Sequence, residues 1–511
     1  MQHDITVLKD SYKDSVRLLE ATRAIQDTDG VDYGWTVMAT DINIETLTSE
    51  GFDGFGDTTA NDLIVALRTT DAETSAVALA LAKEILFSAS TGSGDQVVET
   101  VASLNDGVAA LPGANVAIVS VPGPYAALET HKALTAGLDV LLFSDNVDVA
   151  EEIELKQRAR SLGRLVMGPG AGTAMLAGTG LAFANRVSPG PVGVVAAAGT
   201  GAQEVMSLLD RWGIGITHVI GVGGRDLSAE VGGLMALSAI EALEAHDETE
   251  AILFVSKPPS PEVAEQLLGT ARSKPMVAAM IGLREELDGV ADGISVCNTL
   301  EQGAVLTAAV LDKPVPDLLG DTADAVATKM MDLEQSRRRL VGLFSGGTLA
   351  YEAMTIAVDH IGPIYSNTPL EGDWALPAPD GAHVCLDLGE EEYTVGRPHP
   401  MIDPEARVDW MLQQAADPTV GVVLIDVVIG DGSHPNPAGL LAPAALQIIE
   451  SGAAVVAYVL GTHSDPQQFD VQRKALRDVG CIVPETAARA ALAASAIVNR
   501  DPALVMSEAG E

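Results

Sequence analysis

The sequence predicts an α/β protein, with a small N-terminal α+β unit followed by strands and helices in alternation. Three observations carry that prediction. Short apolar runs end in glycines and pass directly into helix-compatible segments, most clearly over Pro191–Glu204. The chain is 47% hydrophobic but only 4% aromatic, with 50 glycines, as expected of Ala/Val-rich strands joined to helices by tight turns. The strand–turn–helix of Pro191–Glu204 also recurs at Leu340–Glu352, so part of the chain is duplicated.

Residues 1–88 alternate by type. Ile5–Leu8, Tyr33–Ala39 and Asp62–Leu67 predict strands, while Ser15–Ile25 and Thr74–Phe87 predict helices. This order resembles a small ferredoxin-like unit suited to regulation or assembly. Ser88–Asp95 predicts a flexible linker. Residues 97–186 form the next domain. In it the strands Asn115–Ser120, Val140–Ser144 and Leu165–Met167 alternate with helices, one of them over 149–161, and the loop Gly168–Thr173 follows. Loops after strand C-termini are where open parallel sheets bind ligands.

Residues 187–335 and 336–511 are the two related domains. Each carries Gly-Thr in its turn and a glutamate four residues after the threonine (Thr200 to Glu204, Thr348 to Glu352). Further landmarks keep the same order: Gly224-Arg225 matches Gly396-Arg397, and Asp247 before one strand matches Asp417 before another. The glutamates lie 148 apart and the aspartates 170 apart, so the second copy holds 22 more residues. The arginines, 172 apart, place that insertion before Arg397.

Composition narrows the partners. Lys+Arg number 30 against 71 Asp+Glu, a formal net charge of −41, which repels nucleic acid and anionic membranes. Cys297, Cys385 and Cys481 are too scattered for a disulfide framework or a metal cluster. The start Met1-Gln2-His3-Asp4 lacks the features of a signal peptide, and no apolar run approaches the roughly 18 residues of a membrane span. The expectation is a cytoplasmic protein without a metal.

Several motifs point to a family. Val121-Pro122-Gly123-Pro124-Tyr125-Ala126, the Met167-Gly168-Pro169 loop, Gly199-Thr200 with Glu204, and Gly221-Val222-Gly223-Gly224 resemble successive motifs of the succinyl-CoA synthetase α subunit. The second copy resembles the CoA-ligase domain of that enzyme's β subunit. Leu142–Val147, Gly223–Ser228, Phe254–Pro259 and Tyr393–Asp403 are similar, over nearly the whole chain, to the FdrA family. The resemblance implies a Rossmann-like, CoA-binding-like domain over 97–186 and two tandem flavodoxin-like CoA-ligase domains. It also implies a subunit of an oxamate carbamoyltransferase that works with partner subunits and converts oxalurate and phosphate to oxamate and carbamoyl phosphate. An acyl-CoA ligase or CoA-binding transferase and a non-catalytic regulator are the alternatives, and CoA remains a possible cofactor. The chain also departs from the ligases. No glycine-rich fingerprint lies between Gly94 and Val116, and Pro275–Asp288, the match of the phosphohistidine loop, contains no histidine.

The candidate residues follow. Gly199, Thr200 and Gly201, with Gly346, Gly347 and Thr348, form two helix N-termini that could face each other and bind phosphate or carbamoyl phosphate; glycine needed for sterics alone is the other reading. Glu204 and Glu352 match ligase positions that contact the active histidine, yet could equally be ordinary first-turn acids. Arg225 and Arg397 each follow a glycine and could hold a substrate carboxylate. Lys257 could meet substrate or simply snorkel. His399, between two prolines, could act as acid or base or be structural, with Asp403 nearby as a hydrogen-bond partner or helix cap. Asp426 and Asp431 end a strand and could bind a cation, but they lack metal-ligand spacing, so no metal is expected.

Overall fold

The computed structural model describes residues 2–13, 15–87, 101–284, 287–394 and 398–507. They fall into two compact units, 1–100 with 390–403 and 101–389 with 404–511.

The first unit runs β1 (Gln2–Leu8), α1 (Ser15–Gln26), β2 (Val31–Met38), α2 (Asp41–Ser49), β3 (Leu63–Thr69) and α3 (Ala72–Phe87). The antiparallel sheet has the order β1-β3-β2. The central strand is buried on both faces because its apolar run does not alternate with polar residues. Leu63, Val65 and Leu67 pack against Leu18 and Ile25 of α1 and Ala78 and Leu86 of α3. Ile64 and Ala66 pack against Val37, Leu47 and Phe52. Helix α2 has no counterpart among the expected elements; its start is fixed by Thr40, whose hydroxyl caps the amide of Asn43. The expected linker Ser88–Asp95 lies outside the described residues.

The second unit begins with α4 (Leu104–Ala110), β4 (Val116–Val119), α5 (Gly123–Thr135), β5 (Asp139–Leu142), α6 (Val149–Ser161) and β6 (Val166–Met167), whose strands form a parallel sheet in that order. It continues through β7 (Thr173–Leu176), β8 (Thr179–Ala182), β9 (Pro189–Ala196), α7 (Gly199–Arg211), β10 (Ile216–Gly221), α8 (Leu234–Ala245), β11 (Ala251–Ser256), α9 (Pro261–Leu268), β12 (Met276–Met280), β13 (Ile294–Cys297), α10 (Leu300–Val310) and α11 (Thr322–Asp332). The sheet order is β13-β12-β11-β9-β10-β7-β8, parallel except for the hairpin β7–β8 at one edge. That hairpin precedes residue 187 yet hydrogen-bonds to the sheet that follows, through the pairing of Val219 with Met175.

The remaining elements are β14 (Arg339–Phe344), α12 (Gly347–Ile361), β15 (Ile364–Ser366), β16 (His383–Asp387), α13 (Glu391–Thr394, in the first unit), α14 (Glu405–Ala415), β17 (Val420–Val428), α15 (Pro437–Glu450), β18 (Ala454–Leu460), α16 (Phe469–Asp478) and α17 (Ala487–Asn499). Their sheet, β15-β16-β14-β17-β18, is parallel throughout. The duplication is visible in the pairing. β9 is flanked by β10 and β11, and β14 by β16 and β17. Strand β16 takes the place of β10, so the extra residues of the second copy form the edge strand β15 and the loop leading back to β16. Among the described residues no helix is long and apolar enough to cross a membrane.

Candidate anion site at two glycine turns

Both repeated turns are built the same way. Helix α7 starts at Gly199 after Ala198 in an extended conformation (φ −143°, ψ 113°), and α12 starts at Gly347 after Gly346 (φ −118°, ψ 109°). Neither N-cap residue supplies a side-chain cap, so the first-turn amides need other partners. The turns touch each other. A Cβ added to Gly201 would lie 3.0 Å from Thr348 Cγ2, and one added to Gly346 would lie 2.7 Å from Thr200 Cγ2. Glycine at these two positions is what permits the approach, and the same approach buries Thr200 and Thr348. Gly199 remains exposed.

What the turns contain differs. In the second, the Asp426 carboxylate accepts the amides of Ser345 (2.8 Å) and Gly346 (2.9 Å), and the Ser345 hydroxyl donates to it. Asp426 is wholly buried and paired with Arg407, whose Nη1 lies 2.5 Å from Oδ1. Asp387 also crowds this helix start: a Cβ on Gly347 would lie 2.2 Å from its Oδ2. The aspartate that the sequence offered as a cation ligand is thus an internal anion, and its cation is an arginine of α14. The first turn has no such carboxylate. Val195 pairs with Phe254 and Leu343 with Ile425; with Gly199 aligned on Gly347, Val255 therefore occupies the place of Asp426. Its Cγ1 lies 3.1 Å from the Cβ position of Gly201. In the first turn the amide of Ala197, the match of Ser345, instead donates to the carbonyl of Val255 (3.0 Å), and the helix start at Gly199 is open, whereas the start at Gly347 is crowded by Asp387.

The two glutamates are buried and act in a crossed pattern. Glu204 of α7 accepts from the Tyr458 hydroxyl (2.6 Å) and from the amide of Ala487, the first residue of α17 (3.3 Å). Glu352 of α12 accepts from the amide of Leu300, the first residue of α10 (2.6 Å). Each copy thus supplies a carboxyl to a helix start in the other copy, beside the caps Thr299 and Thr486. Burial pushes the Glu204 carboxyl up to about 7, against the pull of Arg211 and the Tyr458 hydroxyl. Burial, opposed by the Leu300 amide and reinforced by Glu204 and Glu301, pushes Glu352 up to about 8.

The other expected residues are dispersed. Arg225 forms an ion pair with Glu152 (2.9 Å) and donates to the carbonyl of Val147 (2.7 Å), so its half-exposed guanidinium already holds a carboxylate of the chain itself. That glutamate belongs to a buried cluster in which Lys156 also binds Asp226. Lys257 follows β11 and lies over the Tyr351 ring, 4.2 Å from its centroid. His399 belongs to the first unit, where its Nδ1 accepts from the amide of Met401. Arg397 lies outside the described residues. Arg407, Asp387 and Tyr458 were not anticipated, because each reaches the turns from an element distant in sequence.

The CoA-ligase family model matches residues 343–497, and the CoA-binding domain model matches 187–282, the segment expected to form the first ligase-like domain. The model described as AllF, heavy metal-associated domain, matches residues 1–101. That stretch contains no cysteine, and its one histidine, His3, packs against the Phe52 ring. It does not present the thiolates that a soft metal requires, and among the described residues no group of three or more His, Cys, Asp or Glu could hold a metal ion. The uncharacterized protein YahF of Escherichia coli K12 is 34% identical over 510 residues, covering 97% of this chain and 98% of that protein. The succinate–CoA ligase [ADP-forming] α subunit of Staphylococcus epidermidis is 30% identical over 207 residues, covering 39% of this chain and 67% of the relative. Among solved structures, the Methanosaeta concilii ATP citrate lyase D541A mutant in complex with (3S)-citryl-CoA matches 46% of each chain at 18% identity and a TM-score of 0.35.

Proposed function

The chain belongs to the succinyl-CoA synthetase superfamily, in one family with YahF, and from that premise we propose that it binds phosphate at the Gly199 turn as a subunit of a carbamoyltransferase. The observation that carries this reading is the difference between the turns. Of two homologous helix starts, one has the carboxylates of Asp426 and Asp387 against it, and the other is open at Gly199 with no carboxylate at the position corresponding to Asp426. An oxyanion there meets aligned N–H groups and the positive end of α7.

In the proposed reaction a phosphate oxygen attacks the ureido carbonyl of oxalurate. The bond from that carbon to the oxamate nitrogen breaks, and the nitrogen takes the proton given up by phosphate. The products are carbamoyl phosphate and oxamate, and the amides at Gly199–Gly201 stabilise the negative charge that gathers on oxygen. The FdrA-like motifs and the N-terminal AllF match support this reading. Partner subunits and a cytoplasmic setting belong to the same proposal. The purified chain with its partners, incubated with oxalurate and phosphate, is expected to release carbamoyl phosphate; no release removes the reading.

A second reading, acyl-CoA ligase or CoA-binding transferase chemistry, is favoured by the two CoA-related matches. The strand–helix turn between β4 and α5 does not fit a pyrophosphate. A Cβ on Gly123 would lie 2.4 Å from the carbonyl oxygen of Asn146 and 2.5 Å from that of Asp145, so backbone rather than open space adjoins the glycine. No step is derived through CoA. Thermal melting with phosphate, carbamoyl phosphate, CoA and ATP separates the readings, because stabilisation grows with the logarithm of ligand concentration over its dissociation constant.

A further inference from the structure

We propose that the cleft beside α12 binds a small amido- or ureido-carboxylate, the second reactant of the transfer, with Arg284 taking the carboxylate and Asp359 the nitrogen end. The inference rests on the transferase reading for the role of that molecule, but the cleft's chemistry is argued from its own residues.

The cleft has a volume of 250 Å³ and is lined by Gly282, Arg284, Asn298, Thr299, Thr355 and Asp359. It opens just past the C-terminal ends of the parallel strands β12 and β13, the edge at which such sheets receive ligands. Its two charges neutralise each other across 3.1 Å, Arg284 Nη2 to Asp359 Oδ1, and both side chains are more than half exposed. A pair so exposed contributes little and opens easily. Once open, it presents a guanidinium fork suited to a carboxylate and an anionic acceptor suited to N–H groups. Asn298, Thr299, whose hydroxyl accepts from the amide of Gln302, and Thr355, whose hydroxyl donates to the carbonyl of Glu352, complete the polar lining.

That arrangement selects a class of ligand. A dicarboxylate brings a second negative charge to Asp359, and an amine brings a positive charge to Arg284. A molecule with a carboxylate at one end and an amide or ureido NH2 at the other satisfies both, and oxamate and oxalurate are small enough for the volume.

Two further observations tie the cleft to the open turn. The amide of Ile281 donates to the carbonyl of Ser256 (2.8 Å), joining the cleft's first loop to the end of β11, whose Val255 abuts Gly201. Lys257, next along the chain, lies over Tyr351, whose Cε1 is 3.3 Å from the Cβ position of Gly282. The buried Glu352 sits one helical turn before the cleft residue Thr355 on the same face of α12. Its Oε1 is held by the amide of Leu300, next to Thr299, while its buried Oε2 has no hydrogen-bond partner.

The test is calorimetric titration of the full chain with oxamate and, separately, oxalate, for the wild type, Arg284→Gln and Asp359→Asn. Oxamate is expected to bind the wild type and to weaken about 10-fold or more in Arg284→Gln, the loss of a charge-assisted hydrogen bond. Asp359→Asn is expected to weaken oxamate but to tighten oxalate, because the repelling charge is gone. Both side chains are exposed, so unchanged melting temperatures are expected to accompany these effects. Absence of oxamate binding to the wild type, or equal binding to all three proteins, overturns the cleft. Turnover of oxalurate with an unaltered KM in Arg284→Gln retains the transferase and removes the cleft. Oxamate binding with the stated dependence, but without carbamoyl phosphate release, does the reverse.

Discussion

The Gly199 and Gly347 turns descend from one design and now do different work. Both start a helix without a side-chain cap, both place a threonine against a glycine of the other, and both are followed by a buried glutamate that crosses to the opposite copy. The second has closed the amides of Ser345 and Gly346, just before its helix, around Asp426, neutralised by Arg407, so it is a structural joint. The first retains Val255 at the corresponding position and stays open at Gly199. Duplication preserves backbone geometry, but one buried residue at a strand end decides whether that geometry holds a ligand or only itself.

The largest expected effect comes from breaking the closed turn. Asp426→Ala leaves Arg407 buried without its partner and strands the amides of Ser345 and Gly346. The expected loss is about 3–5 kcal/mol, read by chemical denaturation. The double variant Asp426→Val with Arg407→Met is expected to recover most of it, because an apolar pair replaces a buried ion pair at little net cost. A loss near zero in the single variant would make Asp426 incidental, and the contrast between the turns would fail.

The next effect comes from adding a methyl group to each turn. Gly347→Ala drives a Cβ to within 2.2 Å of Asp387, and an overpacking cost of about 1–3 kcal/mol is expected. At Gly199 the nearest atom to an added Cβ is Thr173 Oγ1 at 3.7 Å, an ordinary contact. Gly199→Ala is therefore expected to be neutral or stabilising by up to about 1 kcal/mol. Gly199→Pro sharpens the contrast. Proline suits the first helical position, and Ala198 is already extended as a residue before proline must be. The variant is expected to fold normally while losing one amide, and with it part of the phosphate-induced rise in melting temperature. An undiminished phosphate shift would move the anion elsewhere.

The strands, the repeat and both turns were legible in the sequence because apolar runs closed by glycine leave few alternatives. The insertion was also legible, and it proves to be the edge strand β15 and its return loop. The contents of the turns were not. Asp426 read as a strand-end carboxylate open to a cation, since nothing in the sequence brings Arg407 of α14 beneath it. Nor could Val255 be matched to Asp426 without the strand register. The crossed glutamates were hidden for a similar reason, as each acts on a helix start far along the chain. One signal was available: Thr299-Leu300-Glu301-Gln302 has the spacing of a capping box and marks the start of α10 that Glu352 serves.

The smallest effect separates the two glutamates by pH. Both carboxyls lie above the ordinary value of 4.5 in the folded chain, Glu204 at about 7 and Glu352 at about 8. Between 4.5 and those values the unfolded chain releases protons that the folded chain retains, so stability is complete below 4.5 and falls as pH rises toward 8. Glutamine keeps the acceptor without the charge, so Glu352→Gln and Glu204→Gln are each expected to flatten the decline in melting temperature between pH 5 and 8.5. The flattening is expected to be larger for Glu352, because Arg211 and Tyr458 offset part of the burial cost at Glu204 and no cation does so at Glu352. The two substitutions are also expected to be non-additive, since each carboxylate raises the cost of ionising the other. Equal and additive effects would mean that the two copies are independent here, and that the crossing of their glutamates is a matter of packing alone.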